Sequence, residues 1–292
     1  MKLMWSAVMA SVVMLSVPPV HAQEDRLVEP DATVVRLAGN FGFTEGPAAD
    51  ADGNVYFTDI PTDRILKWSP GEGITVFREF SGGANGLRVD RNGRLVVCEM
   101  GNRQVTMIDM QGNVTVLADR FEGNRFNSPN DLWIDPRGGI YFSDPRYGAT
   151  DDQEIRGYHV YYITPDRTMV RRVIDDLTSP NGIIGTADGS RLYVAEIAAG
   201  RTWVYTPQRD GSLTNKRLCA SQGADGMTLD ERGNLYLTGQ DISIYSPDGI
   251  QIGSIAVREA PANLAFGGRE RKTLFITART SLYAVRMTVT GQ

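Results

Sequence analysis

Apolar residues along this chain gather in short runs bounded by Gly, Asp, Asn and Pro, and no segment after residue 30 carries an apolar period of 3.6 residues. Six runs set the rhythm: Asn54-Val55-Tyr56-Phe57, Arg94-Leu95-Val96-Val97, Gly139-Ile140-Tyr141-Phe142, Arg191-Leu192-Tyr193-Val194, Asn234-Leu235-Tyr236-Leu237 and Thr273-Leu274-Phe275-Ile276. Their starts are separated by 40, 45, 52, 43 and 39 residues. Most follow a tight-hairpin sequence such as Asp50-Ala51-Asp52-Gly53, Asp90-Arg91-Asn92-Gly93 or Asp230-Glu231-Arg232-Gly233. Further strand-turn-strand signals lie between them, including Ile65-Leu66-Lys67-Trp68, Val105-Thr106-Met107-Ile108 and Ile242-Ser243-Ile244-Tyr245. A period near 40 with about four short strands per unit predicts an all-β, six-bladed β-propeller. The sixth unit runs out after Ser281-Leu282-Tyr283-Ala284-Val285, one strand short. Residues 32–37 resemble the missing outer strand, so pairing of the two chain ends would close the ring and remove exposed edges.

Aligning the units on those runs exposes a second periodicity. Nine or ten residues before each run stands one carboxylate or carboxamide: Glu45, Asn85, Asn130, Asn181, Asp225 and Asn263. Equivalent positions in successive blades form a ring around a propeller axis, so these six oxygen-bearing side chains are expected to converge on the central channel. Two carboxylates among neutral amide oxygens suit a hard cation: calcium first, with magnesium or manganese as alternatives. The competing reading takes Asn85-Gly86, Asn181-Gly182 and Asp225-Gly226 as ordinary turn dipeptides.

Composition narrows the chemistry. Met1 to Ala10, the apolar Val12-Val13-Met14-Leu15 and then Val20-His21-Ala22 read as a secretory signal cleaved after Ala22, with an uncleaved anchor as the alternative. Residues 23–292 would then form one propeller domain, periplasmic or secreted and not membrane-bound. Without Lys2 there are 29 basic and 35 acidic residues, a net charge of −6, which offers no basic surface for nucleic acid. His159 is the one imidazole left once His21 is removed, and it sits in the strand-like Tyr158-His159-Val160-Tyr161-Tyr162. That excludes a His-rich zinc site and makes a structural histidine the simpler reading than a Ser-His-Asp base. Cys98 and Cys219 lie on apolar stretches and read as two buried free thiols rather than a disulfide.

Glu45-Gly46-Pro47, Ser128-Pro129-Asn130-Asp131, Ser179-Pro180-Asn181-Gly182 and Ala224-Asp225-Gly226-Met227 resemble the metal-site motifs of the gluconolactonase, regucalcin and senescence-marker (SMP-30) family of calcium-dependent lactonases. Ala84-Asn85-Gly86-Leu87, Ser143-Asp144-Pro145-Arg146-Tyr147-Gly148, Asn263-Leu264-Ala265-Phe266 and Thr277-Ala278-Arg279-Thr280-Ser281-Leu282-Tyr283 are similar to its bacterial gluconolactonase branch. The resemblance spans roughly residues 36–285, with the motifs in order and in blade phase. It implies one catalytic divalent ion, calcium first and zinc among the possible substitutes, held by Glu45, Asn181 and Asp225, with Asn130 as a ligand or substrate contact. Ser128 stands where animal members place a substrate-binding arginine, so their sugar-acid specificity does not transfer.

A cation can polarise a lactone carbonyl and lower the pKa of a water, and a carboxylate beside it can take the proton. Asp225 is the candidate base and Glu45 the fixed ligand. Asn85, Asn130 and Asn263 are candidates for binding substrate, and Arg146 and Tyr147 for covering the channel mouth. The expected activity is hydrolysis of a sugar-type lactone by a monomer. The alternatives are a related hydrolase of another ester or phosphotriester and a non-catalytic propeller that binds a sugar or a protein.

Overall fold

Each apolar run becomes the second strand of a four-stranded antiparallel sheet, and six such sheets stand around one axis. The structure, a computed structural model, describes residues 26–292; the expected signal and its cleavage point after Ala22 lie outside the described residues. Blade one runs from axis to rim as Thr44–Ala49, Val55–Asp59, Arg64–Ser69 and Gly73–Glu79. The innermost strands of the other blades are Ala84–Val89, Leu132–Ile134, Pro180–Gly185, Met227–Leu229 and Pro261–Gly267. Each touches the innermost strand of the blade before it and the blade after it, so the six form a closed barrel-like wall around the channel.

Five of the six second strands start one residue later than the sequence runs, the sixth starting with its run at Thr273, and all reach further, as in Val55–Asp59 and Leu95–Glu99. The reason is local. Asp50 Oδ1 accepts the N–H of Asn54 at 2.9 Å and Asp90 Oδ1 that of Arg94 at 2.9 Å, which assigns both residues to the preceding turn. At the other end each strand carries on to polar residues, Thr58-Asp59 and Glu99, that are also buried. Blades stack face to face, so a second strand is covered on both sides and reads as a continuous apolar run. Tyr56 and Ile65 of blade one thus pack with Leu87 and Val97 of blade two, and Val96 with Phe142 of blade three.

The ring closes as the sequence predicts, with a shifted boundary. The outer strand of blade six is Val35–Gly39 rather than residues 32–37, and it pairs with Ser281–Arg286 from Val35 opposite Ala284 to Gly39 opposite Ser281. Ala32 is taken up in a turn, its N–H on Glu29 O at 3.1 Å. Glu259 clasps the joint by accepting Thr280 N at 2.9 Å and the Tyr283 hydroxyl at 2.8 Å. Cys98 and Cys219 are buried and unbridged. His159 lies in the strand His159–Ile163 with Nε2 3.0 Å from Arg156 O, a structural position in which burial lowers its pKa.

Candidate metal centre

Glu45, Asn85, Asn181 and Asn263 sit at the starts of their innermost strands, while Asn130 and Asp225 lie two residues before theirs. All six therefore surround one end of the channel. The Asn-Gly and Asp-Gly pairs are not hairpin turns. They lie in or lead into strands, and each glycine makes room for the next blade. A Cβ on Gly46 would come within 2.0 Å of Asn85 O, and one on Gly226 within 2.2 Å of the Asn263 side chain, as the ring side chains pack blade against blade. Blades three and six have Asp131 and Leu264 at that place, and Asp131 instead reaches into blade four to accept Ile183 N at 3.3 Å.

Four of the six form one hydrogen-bonded group in two halves. Asn263 Nδ2 donates to Glu45 Oε2 at 3.0 Å, and Gly46 N donates to the same oxygen at 2.8 Å. Asn181 Nδ2 donates to Asp225 Oδ1 at 2.7 Å and to the Tyr147 hydroxyl at 2.7 Å. This leaves Asn181 Oδ1 buried with no partner. Asn130 commits its backbone, N–H to Ser143 O at 2.9 Å and carbonyl to Gly86 N at 2.8 Å, while its amide makes no hydrogen bond among the described residues. Asn85 is turned aside, with Nδ2 3.2 Å from Met100 Sδ.

Burial first, and then the charge of Asp225, holds Glu45 well above the usual carboxylate range. Burial pushes Asp225 up to about 6, with Asp131 adding to the rise and the amide of Asn181 opposing it. Two carboxylates that share a poorly hydrated site cannot both ionise cheaply unless a proton or another cation joins them. The orphaned Asn181 oxygen is the observation that favours a metal over a proton, because a buried acceptor without a donor is costly and a cation satisfies it. Among the described residues no three His, Cys, Asp or Glu side chains gather into one cluster, so the centre is a mixed set of carboxylate and amide oxygens. Such a donor set fits a hard divalent ion.

Tyr147 reaches the centre through its hydroxyl although its ring is half exposed, and burial of that hydroxyl raises its pKa. Arg146 does not face the centre. Its Nε donates to Ala149 O at 2.8 Å and its Nη1 to Asn127 O at 2.9 Å, and it pairs with Asp152, so it pins the loop that carries Tyr147. A cavity of about 250 Å³ gives access to Asp225 and is lined also by Phe43 and Arg279.

Two sets of residues escaped the sequence reading. Asp131 is buried in the channel wall beside the pair, and its charge raises both Glu45 and Asp225. A second ring of carboxylates ends the second strands and holds the segments leading into the first ring. Asp59 Oδ1 accepts Gly42 N at 2.9 Å and Phe43 N at 3.0 Å; Asp144 accepts Asn127 N at 2.9 Å and Ser128 N at 2.7 Å; Glu196 Oε1 accepts Thr178 N at 2.7 Å. Burial pushes Asp144 up to about 7 despite those donors. The signal was present: Asp59, Glu99, Asp144 and Glu196 recur at the same place in four successive units.

The profile of the SMP-30/gluconolactonase/LRE-like region matches residues 43–280, which is most of the chain and includes all six ring positions from Glu45 to Asn263. The chain belongs to that family. A gluconolactonase of Zymomonas mobilis is 30% identical over 302 residues, covering 91% of this chain and 85% of its own. A lactonase, drp35, of Staphylococcus aureus is 29% identical over 230 residues, covering 73% of this chain and 69% of its own. Among solved structures, a gluconolactonase from Xanthomonas campestris superposes with a TM-score of 0.83 at 29% identity, covering 90% and 94% of the two chains. Regucalcin from Agrobacterium tumefaciens, a calcium-binding protein, shares the fold at a TM-score of 0.74 and 19% identity, covering 89% and 95%.

Proposed function

We propose that this member of the SMP-30/gluconolactonase/LRE-like family is a metal-dependent lactonase that opens a sugar-type lactone to its hydroxy acid. The observation that carries the metal is the buried, partnerless Asn181 Oδ1 beside two carboxylates. The lactonase and gluconolactonase relatives support the reaction class. Glu45, Asn181 and Asp225 would hold the ion, with the free amide of Asn130 as a fourth oxygen. Calcium is the first choice for such oxygens. When bound, the ion polarises a carbonyl and acidifies a water.

The protein's own groups do the rest. Asp225 lines the access cavity, so its carboxylate is the one placed to take a proton from the attacking water. The water oxygen bonds to the lactone carbonyl carbon, the ring C–O bond breaks, and the leaving alkoxide takes the proton back from Asp225 to become the hydroxyl of the product. Glu45, held by Asn263 and Gly46 N, stays in place as an oxygen donor. The Tyr147 hydroxyl, fixed by Asn181, can donate to a substrate oxygen at the mouth.

Proton release from glucono-δ-lactone and a lactone panel, followed in chelator-stripped protein with calcium, magnesium, manganese or zinc restored, tests the reading. Activity should vanish on stripping and return with one of the ions. Full activity in stripped protein would remove the metal, and a dead panel under every ion would remove the lactone.

A further inference from the structure

A second cavity lies at the other end of the channel. Its volume is about 460 Å³, and its wall includes the far ends of the innermost strands, Ala49, Val89, Ile134, Gly185 and Leu229. Four residues of extended chain separate the first ring from these ends, roughly 13 Å at about 3.3 Å per residue. Six arginines line this mouth, Arg88, Arg91, Arg94, Arg137, Arg167 and Arg271, against two side-chain carboxylates, Asp90 and Asp135. The chain as a whole carries a net charge of −5, so this excess runs against its composition.

The two carboxylates are already committed. Asp90 Oδ1 accepts Asn92 N at 2.8 Å and Arg94 N at 2.9 Å, and Oδ2 pairs with Arg94 at 2.7 Å. Asp135 Oδ1 accepts Arg137 N at 2.8 Å and Gly139 N at 2.9 Å, and Oδ2 takes Arg137 Nη2 and the Tyr162 hydroxyl, each at 2.9 Å. Arg88, Arg91, Arg167 and Arg271 make no ion pair among the described residues, and the charge of Arg88 acts inward on buried Asp131. Arg167 is half-buried, and the nearby charge of Arg94 adds to its desolvation in lowering its pKa. Arg88 Nη1 donates to Leu87 O at 3.2 Å and Arg167 Nη1 to Thr164 O at 3.3 Å, which leaves most of the guanidinium donors on this wall uncommitted. Like charges gathered on a concave wall whose side-chain carboxylates are committed favour an incoming anion.

We propose that this mouth binds a small multivalent oxyanion, clasped chiefly by Arg91, Arg167 and Arg271. Guanidinium forks take phosphate and carboxylate groups through paired N–H bonds, so inorganic phosphate, a sugar phosphate and a polycarboxylate share the required chemistry. A neutral lactone does not. The site is separate from the metal centre and does not depend on the lactonase reading.

Isothermal titration of the whole protein with phosphate, citrate and the singly charged gluconate tests it. Phosphate or citrate should bind saturably at one site and gluconate at least tenfold more weakly; which of the first two is tighter separates the phosphate source from the carboxylate source. Arg91→Gln and Arg271→Gln alter exposed side chains, and each should weaken binding by roughly tenfold, the value of one charge-assisted contact. Arg91→Lys and Arg271→Lys should keep part of the affinity. Without anion these variants should melt at or above the wild-type temperature, since a like charge has gone. Absence of saturable binding up to about 10 mM, an affinity range typical of the weakest specific sites, would overturn the proposal. So would unchanged affinity in both glutamine variants.

Discussion

The two mouths of the channel are built on opposite terms. At one, the carboxylates are drawn in: Glu45 and Asp225 are tied to Asn263 and Asn181, and the second ring of Asp59, Asp144 and Glu196 fixes segments that lead into the first. At the other, the charges ride on hairpins and at the rim, and Arg91 and Arg271 stand exposed. A buried, doubly supported constellation suits a reaction that needs atoms held within a fraction of an ångström. An exposed like-charge rim tolerates displacement and suits attraction of an ion. The same wall of six strands thus separates a centre of chemistry from a centre of charge.

The contrast is tested hardest at the first mouth. Asp225→Asn keeps an oxygen of nearly the same shape and loses the basic carboxylate, so kcat should fall by about 10²–10⁴-fold, the usual value of a general base. Metal affinity, measured separately by titration, should fall far less. Asn181→Ala removes a ligand oxygen and no base, so excess metal should restore part of its turnover. If excess metal returned Asp225→Asn to near wild-type kcat, Asp225 would be a ligand only.

The second ring predicts the next largest effect. Asp144 touches neither Asn130 nor the candidate ligands, yet it holds Asn127 and Ser128 just before Asn130. Asp144→Ala should lower metal affinity or kcat/KM by about 10–100-fold, the usual consequence of losing an outer support. Unchanged kinetics in a variant with normal circular dichroism would show that Asn130 needs no such support.

How far these features were legible in the sequence follows from the same geometry. A residue that must reach the axis from its own blade recurs at a fixed offset, and so Glu45 through Asn263 could be aligned before any coordinates. Asp131 escaped because it takes the place of a glycine in one blade of six and has no counterparts. Arg146 and Tyr147 share one loop and could not be told apart by sequence. Direction along that loop decides which reaches the centre, and the loop's pairing with Asp152 turns Arg146 away. The arginine rim has no phase at all, since its members come from strands, hairpins and loops. The outer strand slid from residues 32–37 to Val35–Gly39 because alternation alone does not fix where a turn ends.

Proton competition sharpens the contrast by pH. Burial holds Asp225 at about 6 against an ordinary 3.8 in the metal-free protein, and Glu45 is raised as well. A raised folded pKa means that the native state binds more protons than the unfolded chain between those values. Stability of the stripped protein should therefore fall as pH rises through that window. Metal binding has the opposite sign, because the ion needs the carboxylate form. Its affinity should rise by about tenfold per unit for one displaced proton up to pH 6 and level off for Asp225 above it. Thermal melts with and without the ion at pH 4.5, 6 and 7.5 read both trends; parallel curves would deny the linkage.

The smallest effect is expected where the comparison is most exposed to failure. Arg91→Gln combined with Arg271→Gln removes two charges from the second mouth, at least roughly 13 Å of extended chain from the first ring. Two unit charges at that distance interact by about 0.3 kcal/mol in water, and a Debye length near 8 Å at physiological salt reduces this further. A lactone is uncharged, so removing the rim takes away no steering of substrate. In phosphate-free buffer the double variant should turn over a lactone within about twofold of wild type, and its pH profile should not move, since a shift of one pKa unit needs about 1.4 kcal/mol. A change of tenfold or more in kcat, with melting temperature unaltered, would mean that the wall between the mouths transmits charge and that the two ends work as one site.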